Sequence, residues 1–569
     1  MDTPTARPWL AQYPDGVGAD IEPGGWTSLV DLLDASFERH ARREQLLFMG
    51  HALRYADVDA QSRAIGAWLQ SLGLKPGTRV ALMLPNVPQM VVSLAAVLRA
   101  GYVVVNVNPL YTPRELAHQL VDSGAEAIVI LENFANTLAA VIEQTRVRHV
   151  LLTQLGDALP AVKRLLVNTV VRHVKKLVPP WTLPERTGHT LARWPQALKA
   201  GASLPWRSAA PRPDDLAFLQ YTGGTTGVSK GAMLQHRHVL ANIAQCESWF
   251  SPATRGHEDE QLTGVCALPL YHIFALTICF MLGARLGQRM LLVPNARDIP
   301  GTIKTLASVR FHLFPAVNTL YNALLDHPDI KQVDFSGLVI SMGGGMAVQQ
   351  ATAQRWLALT GCPIVEGYGL SETSPVACAN RVDVRDYTGT VGYPMPSTEI
   401  AIRDDDGHDV AIGESGEICI RGPQVMAGYW QRPDETALAM DAAGWFRSGD
   451  IGVMDARGQV RIVDRKKDMI LVSGFNVYPT EIEQVVNLMP GVTDCAAVGM
   501  PDERTGEAVR LCIVRRDPQL TAEDVAAWCR EQLTAYKRPK VIEFHATLPK
   551  TNVGKILRRE LRDSPLQGS

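Results

Sequence analysis

Residues 62–132 decide the fold. SRAIGAWLQSLG (62–73), RVALMLPN (79–86), QMVVSLAAVLRAG (89–101), YVVVNVNP (102–109) and AEAIVILE (125–132) alternate helical patterns with short apolar runs. Runs this apolar must be covered on both faces, and strands separated by helices pair in parallel, so the stretch predicts βαβ units around a buried parallel sheet. A similar run ending in glycines, SGLVISMGGGM, returns at 336–346. No fixed-period repeat is present.

Working outward, 569 residues are too many for one core, and roughly three to four units of ~150 residues are expected. From Gly392 to Asp464 the chain is dense in Gly, Pro and short runs such as GEICIRG and GQVRIVDR, a small β-rich subdomain. The polar stretch Asp464-Arg465-Lys466-Lys467-Asp468 closes it. Strand and helix patterns then restart (PTEIEQVVNLMPGV, EAVRLCIVRR, EDVAAWCREQL). The expected fold is therefore a large N-terminal α/β domain of several subdomains over residues 1–463, one of them β-rich, followed by a small α+β domain over 464–569.

Lys and Arg number 56 against 58 Asp and Glu, a net charge of -2, so no global field gathers nucleic acid and an anionic ligand must be held by local geometry. The nine cysteines form no C-x-x-C pair and are odd in number, which argues against a zinc site or a full disulfide framework and favours a reducing cytosol. MDTPTARPWLAQYPDG lacks the apolar core of a secretory signal. Gly264–Gly283 runs twenty residues without Asp, Glu, Lys or Arg, but Pro269 and His272 make it a buried core segment rather than a membrane span. Between Ala161 and Pro180, Val162, Leu165, Leu166, Val170, Val174 and Leu177 recur at helical spacing among Lys163, Arg164, Arg172, Lys175 and Lys176. This predicts a basic amphipathic helix, which either lies on an anionic membrane surface or docks on the core.

The chemistry is written most clearly in YTGGTTGVSKGAM (221–233). Gly223, Gly224 and Gly227 let backbone N–H groups approach phosphate oxygens, Thr222, Thr225, Thr226 and Ser229 add hydroxyls, and Lys230 adds a cation. The NTPase P-loop pattern, G-x-x-x-x-G-K-[ST], does not fit, because Ser229 precedes and Gly231 follows the lysine. In EGYGLSET (366–373) Glu372 is a hard carboxylate between two hydroxyls, suited to Mg²⁺.

YTGGTTGVSKGAM resembles the phosphate-loop signature of the adenylate-forming superfamily, and further motifs follow in that family's order: LPLYHIFAL (268–276), EGYGLSETSP (366–375), WFRSGDIG (445–452), VDRKKDMILVSGFNVYPTEIE (463–483) and LPKTNVGKILRREL (548–561). Within it the chain looks most like bacterial long-chain fatty acyl-CoA synthetases, above all in VVNVNPLYTPRELAHQL (104–120). The resemblance implies ATP, Mg²⁺ and coenzyme A as cofactor and co-substrates, a fatty acid as substrate, and an acyl-adenylate intermediate. It makes Lys555 the adenylation lysine, Glu372 the metal ligand together with Thr222, Ser371 an α-phosphate contact, Gly367 and Tyr368 adenine neighbours, and Asp450 and Arg465 ribose contacts. Ser448 stands where the family more often has Thr. His272 is expected to shape the acyl or AMP site. The C-terminal domain is expected to rotate about Lys467, exchanging Lys555 for Ser473 and Gly474, which face the CoA channel. A cytoplasmic protein is expected, with peripheral contact to the inner membrane and a homodimer left open.

Overall fold

The structure is a computed structural model that describes residues 7–21, 25–184, 189–222, 229–473, 475–502, 504–551 and 554–566. Gly223, Gly224, Thr225, Thr226, Gly227 and Gly474 lie outside the described residues.

The parallel sheet predicted from residues 62–132 is there. Seven strands run in the order Thr190–Arg193, His149–Thr153, Ala127–Leu131, Arg79–Met83, Val103–Asn106, Leu216–Tyr221, Gly231–Gln235. All pairs are parallel except the last, whose two strands pair antiparallel. The apolar runs do not alternate because both faces are covered. Val80, Leu82, Val104 and Val129 join one apolar cluster, while Ala81, Met83, Val105 and Ile130 join another. The helix Pro88–Arg99 is buried at every residue, as its all-round apolarity requires. Its terminal Arg99 is neutralised by Asp34 at 2.7 Å and Asp59 at 2.8 Å.

A second sheet of nine strands is ordered Tyr393–Pro394, Val376–Ala379, Ile364–Gly369, Ile340–Gly343, Leu313–Ala316, Thr263–Cys266, Arg289–Leu292, Glu44–Phe48, His51–Arg54. Its middle is parallel and its ends antiparallel. One apolar core includes residues of both sheets and of the helices Leu29–Arg39 and His236–Thr254. The segment 264–283 supplies a strand and then buried helical turns over Ile273–Arg285, and among the described residues no helix is long and apolar enough to cross a membrane.

The β-rich region forms a four-stranded antiparallel sheet, Glu399–Arg403, Ser415–Arg421, Phe446–Met454 and Val460–Arg465. A smaller C-terminal domain follows. Its five strands, Phe475–Val477, Ile470–Val472, Gly506–Arg515, Val492–Asp502 and Val541–Phe544, carry their own apolar clusters. Only residues 466–469 separate the last strand of one sheet from the first of the next.

The predicted helix over 161–180 is shorter than its periodicity suggested. Ala161–Thr169 is α-helical, Val170–Val174 widens into a π turn, and Lys176 leaves the helix with φ 50°. The cluster Lys175-Lys176 followed by Pro179-Pro180 explains the stop: no helix continues into a prolyl pair.

Candidate active site

Four segments converge. The first is the segment between the antiparallel strands Leu216–Tyr221 and Gly231–Gln235, of which Thr222, Ser229 and Lys230 are described. Thr222 N–H donates to the Lys230 carbonyl at 2.9 Å, so the two described ends of the phosphate loop are pinned together. Lys230 is ion-paired with Glu435 and lies 5.2 Å from the Tyr429 ring centre.

The second is the turn Ser371–Thr373 after the strand Ile364–Gly369. Gly369 is required there, because a Cβ would collide with the Pro375 carbonyl. Glu372 is buried, and Tyr429 Oη donates to its Oε1 at 2.8 Å. Burial raises the Glu372 pKa and the nearby Asp450 raises it further, while Tyr429 and Arg465 pull it down. A carboxylate so placed gains from a cation beside it, and its hard oxygen fits a Mg²⁺ ligand. Loop 426–430 stitches this turn to the phosphate hairpin: Met426 N–H donates to the Glu372 carbonyl at 2.8 Å, Met233 N–H to the Gly428 carbonyl at 2.9 Å, and Trp430 N–H to the Gly231 carbonyl at 2.8 Å.

The third comes from the four-stranded sheet. Asp450 and Arg465 are cross-strand partners, with Nε 3.4 Å from Oδ1, and the other oxygen of Asp450 accepts from buried Tyr368 Oη at 2.6 Å. Ser448 donates to the Ile418 carbonyl at 2.7 Å and accepts from Asp450 N–H at 3.1 Å, so its hydroxyl orients the aspartate strand. Gly367 lies on the strand beside Tyr368, paired with Ala379.

The fourth is the C-terminal hairpin that carries Lys555. Gly554, at φ 84°, leaves no room for a Cβ against Thr319 of the N-terminal domain, and Lys555 N–H donates to Thr551 Oγ1 at 3.0 Å. Burial and the Arg465 and Lys467 cations push the Lys555 pKa down to about 8, against the pull of Asp450 and Glu372. His272 shares this field. Burial, then the Lys555 charge, lowers its pKa to about 4, and its Nδ1 accepts from Phe274 N–H at 3.4 Å. The imidazole is neutral at pH 7, with Nδ1 as acceptor and Nε2 carrying the proton.

Lys555, Glu372, Asp450, Arg465, Tyr368 and His272 therefore meet in one site. Ser371 is half-buried on the Glu372 turn. Ser473 is not in the cluster; it is exposed at φ 51°, and its N–H donates to the Thr505 carbonyl at 2.8 Å. Lys467 is exposed between the two domains' sheets.

Sequence reasoning missed Tyr429 and Glu435, although the aromatic pair Tyr429-Trp430 after a glycine, ahead of Arg-Pro-Asp-Glu, was a visible signal. It also missed a buried amide relay that holds the His272 loop. Asn106 donates to Gln220 Oε1 at 3.0 Å, Gln220 donates to the Tyr271 carbonyl at 2.9 Å, and Asn86 donates to the Cys266 and Leu268 carbonyls at 2.9 and 2.8 Å.

The AMP-binding enzyme family matches residues 33–430 and the AMP-binding enzyme C-terminal domain matches 481–555; the chain belongs to the AMP-binding enzyme family. A protein of Escherichia coli O157:H7 named long-chain-fatty-acid–CoA ligase is 53% identical over 98% of both chains. One of the same name from Bacillus subtilis (strain 168) is 36% identical over 98% of this chain and 97% of its own. Among solved structures, ATP-bound MatB from Rhodopseudomonas palustris superposes with TM-score 0.80 at 26% identity, covering 94% of this chain and 98% of that one.

Proposed function

We propose that the protein activates a long-chain fatty acid as acyl-AMP and transfers the acyl group to coenzyme A, releasing diphosphate and AMP. The observation that carries this reading is the meeting of Lys555 with Asp450, Arg465, Glu372 and His272 across two domains, in relatives' company named for the same reaction. In the first half-reaction a carboxylate oxygen attacks the α-phosphorus of ATP and diphosphate leaves. Lys555 offsets charge on the attacking and bridging oxygens. Asp450 accepts from the ribose hydroxyls with Arg465 beside it, Tyr368 and Gly367 flank the adenine, and the loop from Thr222 to Lys230 holds the phosphates with Ser371. Glu372 and Thr222 would hold Mg²⁺, which would supply charge neutralisation on the phosphates. In the second half-reaction the CoA sulfur attacks the acyl carbonyl and AMP leaves. Lys467 and residues 466–469 are the hinge, with the boundary near 464, and rotation there replaces Lys555 by Ser473 and Gly474.

An apolar cavity supports the acyl assignment. It is lined by Cys246, Phe250, Val265, Ile278, Met290 and Met342 among others, and Ile278 lies on the helical run that His272 caps. Each methylene buried there is worth ~0.8 kcal/mol, about fourfold in kcat/KM. Single-turnover thioester formation over an acid series should thus rise steeply from six carbons into the long-chain range; a maximum at benzoate or hexanoate would overturn the assignment. Peripheral contact with the cytoplasmic membrane face belongs to the same reading, because the substrate resides in lipid.

Two further results are expected. Glu372→Ala should lower kcat/KM for MgATP in adenylation on the order of 10²-fold and leave fatty-acid binding by calorimetry nearly unchanged. An unaltered Mg²⁺ dependence would remove Glu372 from the site. Lys555 acts as an ammonium, present below its pKa of about 8 and lost above it. The kcat/KM for adenylation reports the free enzyme and should therefore fall as pH rises through 8, about tenfold per unit at the limit. Lys555→Arg should remove that limb, and its persistence in the variant would show that another group titrates.

A further inference from the structure

The apolar stripe on residues 162–177 does not face the core. Val162 is 84% exposed, Leu165 71%, Leu166 62%, Val174 70% and Leu177 54%, and Ala161–Thr169 buries no residue. The anchors lie on the other side of the segment. Buried Val171 and half-buried Val167 point inward, and Asn168 donates to Gln154 Oε1 at 2.9 Å and accepts from Gly156 N–H at 2.8 Å. Arg172 pairs with Glu132. Lys163 donates to the Met49 carbonyl, which brings Met49, itself exposed, beside the first turn. A segment tied down on its other side thus holds five large apolar side chains in water. Contiguous exposed apolar surface of this kind marks an interaction site.

The charge around it names the partner. From Pro160 to Pro180 there is no Asp or Glu. Lys163 and Arg172 are engaged within the protein, Arg164 is half-buried within the field of Asp157, and Lys175 and Lys176 are exposed beside the apolar stripe. An exposed apolar stripe on a segment that carries cations and no acid matches a bilayer with anionic headgroups. A second copy meeting this face about a two-fold axis would bring the same cations against each other. We propose that residues 161–177 are a lipid-docking segment: Val162, Leu165, Leu166, Val174 and Leu177 enter below the headgroups, and Arg164, Lys175 and Lys176 meet lipid phosphates. The inference rests on, and localises, the peripheral membrane contact of the proposed function.

The segment is remote from the chemistry. It joins His149–Thr153 to Thr190–Arg193 at one edge of the seven-stranded sheet, and the phosphate-loop hairpin forms the other edge. Four strand spacings separate His149–Thr153 from Leu216–Tyr221, roughly 19 Å. Variants here should therefore spare catalysis on soluble acids.

The test is sedimentation of the full-length protein with sucrose-loaded phosphatidylcholine vesicles containing one quarter phosphatidylglycerol. The parent should pellet at low salt, less so as salt rises, and weakly with phosphatidylcholine alone. Each cation near the surface is worth about fivefold, so Arg164→Gln/Lys175→Gln/Lys176→Gln should lose roughly 10²-fold in partition. Leu165→Ser/Leu166→Ser, which changes only exposed residues, should also be released. Both variants should form octanoyl-CoA at the parent rate and lose rate on oleate presented in the anionic vesicles. If both variants pellet as the parent does, the segment is not the docking element although the membrane contact stands. A parent that never pellets overturns the contact itself. Concentration-dependent dimerisation without lipid, abolished by Leu165→Ser/Leu166→Ser, would assign the face to a second copy and overturn the inference.

Discussion

Lys555→Ala is expected to lower acyl-adenylate formation by about 10²- to 10³-fold, the loss typical of removing one donor aimed at developing charge, while capture of preformed acyl-AMP by CoA continues near the parent rate. The asymmetry follows from where the lysine comes from. It is carried by the C-terminal hairpin, which touches the N-terminal domain at Gly554 and Thr319, and it shares one electrostatic field with Glu372, Asp450 and Arg465. On the proposed rotation about Lys467, a side chain delivered by that domain serves only the half-reaction in which the domain is docked. Measured separately by diphosphate release and by thioester formation from synthetic acyl-AMP, equal loss in both steps would contradict this role.

The second large effect is on stability. In the C-terminal domain Arg510 is buried, bonded to Glu543 Oε2 at 2.9 and 2.7 Å and to the carbonyls of Leu561 and Ser564 at 2.9 and 2.8 Å. The guanidinium thus ties the terminal helix Arg558–Asp563 to the central strand Gly506–Arg515. Arg510→Leu leaves the Glu543 carboxylate buried without that partner, and breaking such a pair costs about 3–5 kcal/mol. Urea unfolding should show the C-terminal transition shifted by that amount, with adenylation falling in step as the Lys555 hairpin loses its support. Arg510→Leu/Glu543→Leu should recover much of the loss, because neither charge then remains buried. An unchanged midpoint in the single variant would show that the pair contributes little.

Local patterns made much of this legible in the sequence. The run at 79–86 and its neighbours gave the parallel sheet because full burial of both faces leaves a continuous apolar signature. The Gly- and Pro-dense stretch after Gly392 gave the antiparallel sheet. Motif resemblance singled out Asp450, Glu372 and Lys555, and the fold brings these three side chains into one electrostatic field. What stayed hidden is long-range. No periodicity reports that Glu44–Phe48 pairs with Arg289–Leu292, or that Asn86, Asn106 and Gln220 hold the His272 loop, because an isolated amide looks the same whether it faces water or a carbonyl. The segment after Pro160 shows the same limit from another side. Its spacing announced an apolar face, but the packing side was set by Asn168, which binds the neighbouring loop, and by the inward Val167 and Val171, leaving the larger stripe outside.

The central claim is a covalent acyl-adenylate on the path to the thioester. A rapid-quench single turnover with enzyme in excess over ATP labelled at the α-phosphorus, with oleate and without CoA, tests it most directly. The label should move into oleoyl-AMP with loss of diphosphate, and adding CoA should then convert it to AMP as oleoyl-CoA forms at the same rate. Label appearing in ADP, or oleoyl-CoA forming faster than oleoyl-AMP disappears, would contradict the account.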